Sequence, residues 1–456
     1  MQRDARGLEL STDSPEAAAL FSRAAEHFVK AHADTMSLVN GALAADPGFA
    51  MAHCFKGYLL AGGANAAARP AIAASLAAAE AGAATATPRE RRHIAALAAG
   101  QRGALNEAMA IWDALLDDDP LDLLAVRIGN VAHFRHGHTA AILDQVTRLA
   151  PAWSPDIPGY PSFRTVWAFA HEEVGDTREA EAAIDDAHAR DPENFFTHHV
   201  KAHVLNAGGR WREGSDWLVA QTGCWHKGAN LTHHLWWHRA LMLLDLGEHE
   251  AVLASYDNDI RNLNGPLTKA APAQFNDLQN AGALLWRLEQ QGMDAGGRWE
   301  ELAAKAEARI GDPAQPLLPP HLMLALAATG RDTAAARLLE SLRAQAAEPG
   351  WETETLTEAV IPACEAVLAH RRGQHARVVD LLASRQPQSR LLGGSAAQRD
   401  LFRQILIDSA FRAECHDVVR AMLAEETASH PAPPEQRAGY GAAARWLVRT
   451  SAVTPG

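Results

Sequence analysis

The 456-residue chain predicts an all-α fold, an array of antiparallel helix pairs stacked side by side, on three observations. Strand signals are nearly absent, because no segment alternates apolar and polar residues with β-branched enrichment between tight turns. Apolar residues recur at i, i+3, i+4 and i+7, broken roughly every 12–20 residues by Gly, Asn or Pro. Several of these segments end on Asp-Pro, at Asp46-Pro47, Asp119-Pro120, Asp191-Pro192 and Asp312-Pro313. Each helix pair would bury its apolar stripe against the next, so one continuous core with soft internal boundaries is expected.

Taken in order, the helix pairs share a spacing. The clearest runs from Pro161 to Asn194, with Gly175-Asp176 as the turn and Asp191-Pro192 ending the second helix. Counting Pro161 as position 1, small residues fall at position 8 (Ala168), 20 (Ala180) and 27 (Ala187), and Pro192 at 32. The same ruler set at Ala50 puts Gly57 at 8, and set at Asp122 it puts Gly129 at 8 and Ala141 at 20. Set at Phe195 it gives Ala202 at 8 and Gly214 at 20; set at His233 it gives Ala240 at 8 and Val252 at 20. Further pairs are expected over about 320–347, 357–384 and 397–426, and a short helix after His430 is expected to cap the stack. Two Pro-rich stretches interrupt the array, Ala150–Pro161 and Asp312–Pro320. They suggest N-terminal repeats over 1–150, central repeats over 151–311, and C-terminal repeats with a cap over 312–456.

This ruler resembles the tetratricopeptide repeat, a helix-turn-helix of 34 residues whose small positions let its two helices pack closely. The resemblance implies an α-solenoid of tetratricopeptide-like repeats forming a right-handed superhelix. Three stretches resemble the tetratricopeptide repeat protein 38 family more specifically. They are HHLWWHRALMLLDLGEHEAVLASYD (His233 to Asp257), AWSPDIP (Ala152 to Pro158) and LLGGSAAQRDLFRQILIDSA (Leu391 to Ala410). What this resemblance implies is fold and overall length; it carries no reaction and no catalytic residue.

Composition narrows the function. With 48% hydrophobic and 21% charged residues the chain can build a core and is too balanced for disorder. A net charge of −13 and the lack of a basic stripe argue against a nucleic-acid partner. The stretch from Met1 to Glu16 is polar, without the apolar segment of a secretory signal. No uncharged apolar run reaches the ~18 residues of a membrane span. Cys54, Cys224, Cys364 and Cys415 lie far apart with no CxxC pair, which argues against a disulfide framework or a zinc knuckle. A cytoplasmic protein is expected. The run Arg89-Glu90-Arg91-Arg92 reads as a solvated helix face.

The anomaly is an excess of His and Trp. Of 22 His and 12 Trp, nine His and five Trp lie between His188 and His249. In tetratricopeptide repeats, positions 2, 5, 9 and 12 of the first helix line the concave groove. That register presents Ser162, Thr165, Phe169 and Glu172, then Phe196, His199, His203 and Asn206, then His234, Trp237 and Leu241, with His238 one step round. His199 and His203 are i, i+4, as are His234 and His238, so each pair shares one helical face. Imidazoles with a carboxylate suit a divalent transition metal, for which His199 and His203 are the first candidates. Without metal, Glu172, His199, His203 and His238 could act as base, acid or orienting groups.

Each of these has a plainer reading: histidines at helical spacing often only pack or face solvent, as expected for His188, His198 and His233. Trp236 falls at a packing position and is expected in the core, while Trp237 could be a stacking platform. Asn276, Asp277 and Asn280 form a polar stripe that could be a second wall of a pocket. His321 is a candidate ligand. Gly393-Gly394-Ser395 with Gln398 reads as a loop and capping box, and Arg399 after it as an anion anchor. No HExxH occurs, since His171-Glu172 and His249-Glu250 lack the second His. No P-loop, GxSxG or dinucleotide fingerprint is present.

Two functions compete. One is a solenoid that binds a peptide or small molecule in its groove, with Asn206, His234, Trp237, Asp277, His321 and Arg399 as contacts, whether alone or as a homodimer. The other is an enzyme, a hydrolase or lyase on a small polar substrate, built on the same histidines. Glu, His, Asn and Trp in place of a Lys/Arg track favour a compact pocket.

Overall fold

The structure is a computed structural model that describes residues 1–312, 315–348, 350 and 352–451. Among the described residues the only named strands are a two-residue antiparallel pair, Gln2–Arg3 with Glu9–Leu10. Everything else regular is helical. The first ten helices are α1 (Pro15–Val29), α2 (Thr35–Ala45), α3 (Ala50–Ala61), α4 (Arg69–Ala81), α5 (Pro88–Gln101), α6 (Leu105–Asp118), α7 (Leu123–Arg135), α8 (Thr139–Leu149), α9 (Tyr160–Glu173) and α10 (Thr177–Arg190). The central ones are α11 (Phe195–Ala207), α12 (Trp211–Gln221), α13 (Leu231–Asp245), α14 (His249–Ser255), α15 (Pro266–Ala270), α16 (Phe275–Gln290) and α17 (Arg298–Ala308). The last are α18 (Leu318–Ala328), α19 (Asp332–Ala347), α20 (Thr353–Thr355), α21 (Ile361–Arg371), α22 (His375–Leu382), α23 (Ala396–Arg412), α24 (His416–Ser429) and α25 (Gly441–Ser451).

The expected helix pairs are present, within a few residues at each end. Asp46, Asp119 and Asp191 each stand at the C-cap of a helix, where the following Pro cannot continue it. Pro313 and Ala314 lie outside the described residues, so the expectation for Asp312-Pro313 is not addressed there. The turn at Gly175 shows why glycine is needed. Its φ of +84° places the Gly175 amide on the Glu172 carbonyl and the Asp176 amide on that of His171, both at 2.9 Å. That is the left-handed helix end that a Cβ disfavours. Asp176 then caps α10 by accepting from the Glu179 amide.

By contacts the described chain forms two compact units. The first comprises Met1–Phe134, His138–Lys201 and Gln221–Thr232. The second comprises Arg135–Gly137, Ala202–Ala220 and the chain from His233 onward. The divisions thus fall inside α7, α11, α12 and α13.

In the first unit α1 packs on α2, α3 on α4, α5 on α6 and α9 on α10. One apolar cluster gathers Phe21, Phe49, Phe55, Leu97 and Trp112; another gathers Leu115, Val146, Trp153, Phe163 and Ile184. Small residues mark close approaches. A Cβ on Gly57 would lie 2.5 Å from Leu97 Cδ2, which is why that position takes no larger side chain. The run Arg89–Arg92 departs from the expected solvated face: Arg89 and Glu90 are buried, and only Arg91 is exposed. Arg89 pairs with the buried Asp122, and Glu90 closes a capping box with Thr87. Charge at these positions does not mean exposure, because Asp122 on another segment and the capping box satisfy it.

In the second unit α16, α17 and α21 pack on α18, and α22 on α23. α23 opens with the expected capping box of Ser395 and Gln398. The loop before it meets Arg135–Gly137 closely. A Cβ on Gly393 (φ +65°) would collide with the Arg135 carbonyl, and one on Gly137 (φ +71°) with that of Arg390. α25 follows the His430 turn, as expected of the tail. All four cysteines are free thiols. Among the described residues no helix is long and apolar enough to cross a membrane.

Candidate metal and ligand site

Three helices carry the site. Phe195–Ala207 brings His203, Leu231–Asp245 brings His234, Trp237 and His238, and Phe275–Gln290 brings Asn280 and Arg287. α13 ends cleanly because Gly247 (φ +75°) turns the chain, with its amide on the Leu244 carbonyl and the Glu248 amide on that of Leu243. α16 begins where the Gln274 side chain accepts from the Asp277 amide at 3.0 Å.

Successive residues of α13 meet successive residues of α16 in the same chain direction. His233 Nδ1 lies 3.1 Å from Asp277 Oδ2, and His234 Nδ1 donates to Asn280 Oδ1 at 2.9 Å. Further along, the Arg287 guanidinium stands 5.8 Å from the centre of the Trp237 ring. The Trp237 indole stacks on His234, with centroids 5.0 Å apart and 12° between planes.

The hydrogen bond to Asn280 decides the chemistry of His234. An amide oxygen can only accept, so Nδ1 carries the proton and Nε2 presents its lone pair. That Nε2 lies 3.1 Å from Nε2 of His238, one helical turn on. The His203 ring centre is 4.5 Å from that of His238. Ligating nitrogens of His203, His234 and His238 all lie within 4.8 Å of one another. His199 stands one turn before His203 on α11, with a nitrogen within the same 4.8 Å of His203. Its ring packs on Phe196, 5.8 Å away.

The site is buried. His238 is fully covered, Trp237 and Asn280 are 1% exposed, and His203, His234 and Arg287 are also buried. Burial pushes the His234 imidazole down to about 4, against the hydrogen bond with Asn280. Burial also lowers the Arg287 guanidinium, against the nearby Asp400, Tyr440 and Asp245. Arg287 spends two donors on the carbonyls of Ala283 and Ala397. Two buried donors find no acceptor, Trp237 Nε1–H and Asn280 Nδ2–H.

The structure thus brings together His203, His234, His238 and Trp237, with His199 on the adjoining turn of the same helix. Asp277 joins through His233. Of the remaining candidates, His321 and Arg399 make their hydrogen bonds elsewhere. Glu172 is half-buried on the last turn of α9, in the first unit. Asn206 is half-buried at the last turn of α11. His321 is buried, donating from Nδ1 to the Leu317 carbonyl at 2.7 Å and standing edge-on to Phe402, and burial pushes it down to about 4. Arg399 donates to the Gly394 carbonyl of its own capping loop.

Several expectations reverse. Trp237, not Trp236, is the core tryptophan; Trp236 is half-buried with Arg239 over its ring. A second wall is needed to bury position 5 of a first helix, and α16 provides it. His198 and His233, expected in solvent, are buried, while His188 is half-buried. His198 donates from Nε2 to the Pro192 carbonyl and accepts at Nδ1 from the Trp225 indole, so it is a packing histidine. Arg287 was missed altogether. Its signal was available, as the lone cation in the apolar run Ala281–Leu288. No family model matches the chain.

Proposed function

We propose that this chain binds a divalent transition metal through His203, His234 and His238, and that a small molecule binds beside the ion. The observation that carries the reading is the 3.1 Å between Nε2 of His234 and Nε2 of His238, with the proton of His234 committed to Asn280. Two nitrogens on one ion, each about 2.0–2.1 Å from it, stand about 2.8–3.4 Å apart at coordination angles between 90° and 109°. A partner on the other ring nitrogen of a ligating histidine is also what metal sites use to set tautomer and orientation.

An all-imidazole donor set suits Zn, Co, Ni, Cu or Fe and is poor for Mg or Ca. Three protein ligands leave a position for water, which ionises near pH 7 on Zn, the chemistry of a hydrolase or lyase acting on a small polar substrate. The helix pairs and their small residues at close approaches support the solenoid reading, a right-handed superhelix of tetratricopeptide-like repeats. Together with the three sequence stretches they support kinship with the tetratricopeptide repeat protein 38 family.

Metal analysis of the purified chain, with Co²⁺ and Zn²⁺ titrations of the metal-stripped protein, tests the site. One ion per chain is expected, with affinity reduced by a hundredfold or more in His234→Ala and His238→Ala. A chain that binds neither ion, and whose melting temperature neither ion raises, would sink the reading.

A further inference from the structure

Beside the histidines the same helices carry chemistry that metal binding leaves unused. Trp237 Nε1–H and Asn280 Nδ2–H are both donors, both on side chains 1% exposed, and neither has an acceptor. Leaving a donor buried without a partner costs about 1–3 kcal/mol. Each is one contact from His234, Trp237 through its stacked ring and Asn280 through the other end of its amide.

Charge points the same way. Ligating imidazoles are neutral, so three of them leave the charge of a divalent ion unbalanced in a buried place. The Arg287 guanidinium faces the Trp237 ring and adds a further positive charge. In the same unit three carboxylates are engaged elsewhere. Asp277 pairs with His233, Asp400 accepts from Tyr440 and Gln404, and Asp245 accepts from the Ala438 amide.

We propose that the small molecule bound beside the metal is a carboxylate, with one oxygen on the ion and its oxygens taking the Trp237 and Asn280 donors. The proposal rests on the metal site proposed above. It places Trp237 and Asn280 as the specificity-determining contacts, and Asn280 in a double role: its oxygen orients His234 and its nitrogen binds the ligand.

The probe is acetate, titrated into the Co²⁺-loaded full chain and followed by the visible spectrum of the ion, with acetamide as the neutral counterpart. Acetate is expected to shift the spectrum saturably and acetamide to leave it unchanged. Trp237→Phe keeps a ring against His234, and Asn280→Asp keeps an acceptor for its Nδ1–H, so both variants should retain Co²⁺. Each should weaken acetate by about 10- to 100-fold, the loss of a hydrogen bond to a charged acceptor. Co²⁺ that binds but ignores acetate, or acetate that binds both variants as tightly as the native chain, overturns the carboxylate site alone. A native chain that takes up no Co²⁺ removes both this proposal and the metal site beneath it.

Discussion

Asp122 shows how much a single buried residue can hold. Its carboxylate takes the Arg89 guanidinium and His93 Nε2 on one oxygen and the Ala125 amide on the other. Burial works to raise this carboxyl, but His93 and Arg89 overcome it and hold it well below the usual carboxylate range. The backbone carbonyl of His93 in turn accepts from Tyr58, whose oxygen accepts from the Trp112 indole. Removing one partner of a buried ion pair costs about 3–5 kcal/mol because the other charge is stranded. Asp122→Asn should therefore lower the unfolding free energy by that amount, seen as a drop in the urea midpoint. A change below about 1 kcal/mol would show that the pair is solvated after all. In the sequence this network was visible only as the charge run Arg89–Arg92. What turns Arg89 inward is a partner 33 residues away.

At the scale of elements, the loops are as constrained as the helices. Gly393 sits in the left-handed region with the Arg135 carbonyl where a Cβ would stand. Backbone cannot move aside as a flexible side chain can, so Gly393→Ala should destabilise by roughly 2–4 kcal/mol, combining the conformational and overpacking costs. Gly100, inside α5 with open space around it, is the matched control: Gly100→Ala should stabilise by about 0.5–1 kcal/mol. Denaturant titration of the two variants should give opposite signs; equal shifts would refute the close approach of the two loops. The helix pairs were legible because a 3.6-residue period, turn glycines and Asp-Pro stops are local signals. The glycine pair at 393–394 was legible as a loop, but its reason was not, because the segment it meets lies more than 250 residues earlier.

At the scale of the whole molecule, buried histidines set the response to acid. His198 and His321 are both held down to about 4 by burial, from an ordinary value of 6.5. The unfolded chain therefore binds more protons than the folded one between pH 6.5 and 4, and stability falls as pH falls through that window. Each histidine contributes about 3 kcal/mol to that loss at its acid end. Asp245 opposes it. Burial raises its carboxyl to about 6, so the stability it contributes is present at low pH and lost as pH rises from 3.8 to 6. For His198, His321 and Asp245 together the net expectation is a loss of about 3 kcal/mol between pH 6.5 and 4, and the buried His234 acts in the same direction. A melting temperature that is flat or rising over that window would contradict the buried, neutral state of the histidines. Asp245→Asn removes the opposing contribution and should steepen the loss.

The sequence by itself determined the helices, their pairing, their stops, and the two i, i+4 histidine pairs that mark the central segment. These are properties of neighbours within a turn or two, so the chain carries them locally. The tertiary structure decided which imidazole nitrogens meet, because that depends on α16 lying along α13 and presenting Asn280 to His234. It also decided that Trp237 is core and Trp236 is not, and that Arg287 belongs to the site while Arg399 bonds its own capping loop. A helical face says only where a side chain leaves the backbone; what it meets there is supplied by chain tens of residues away.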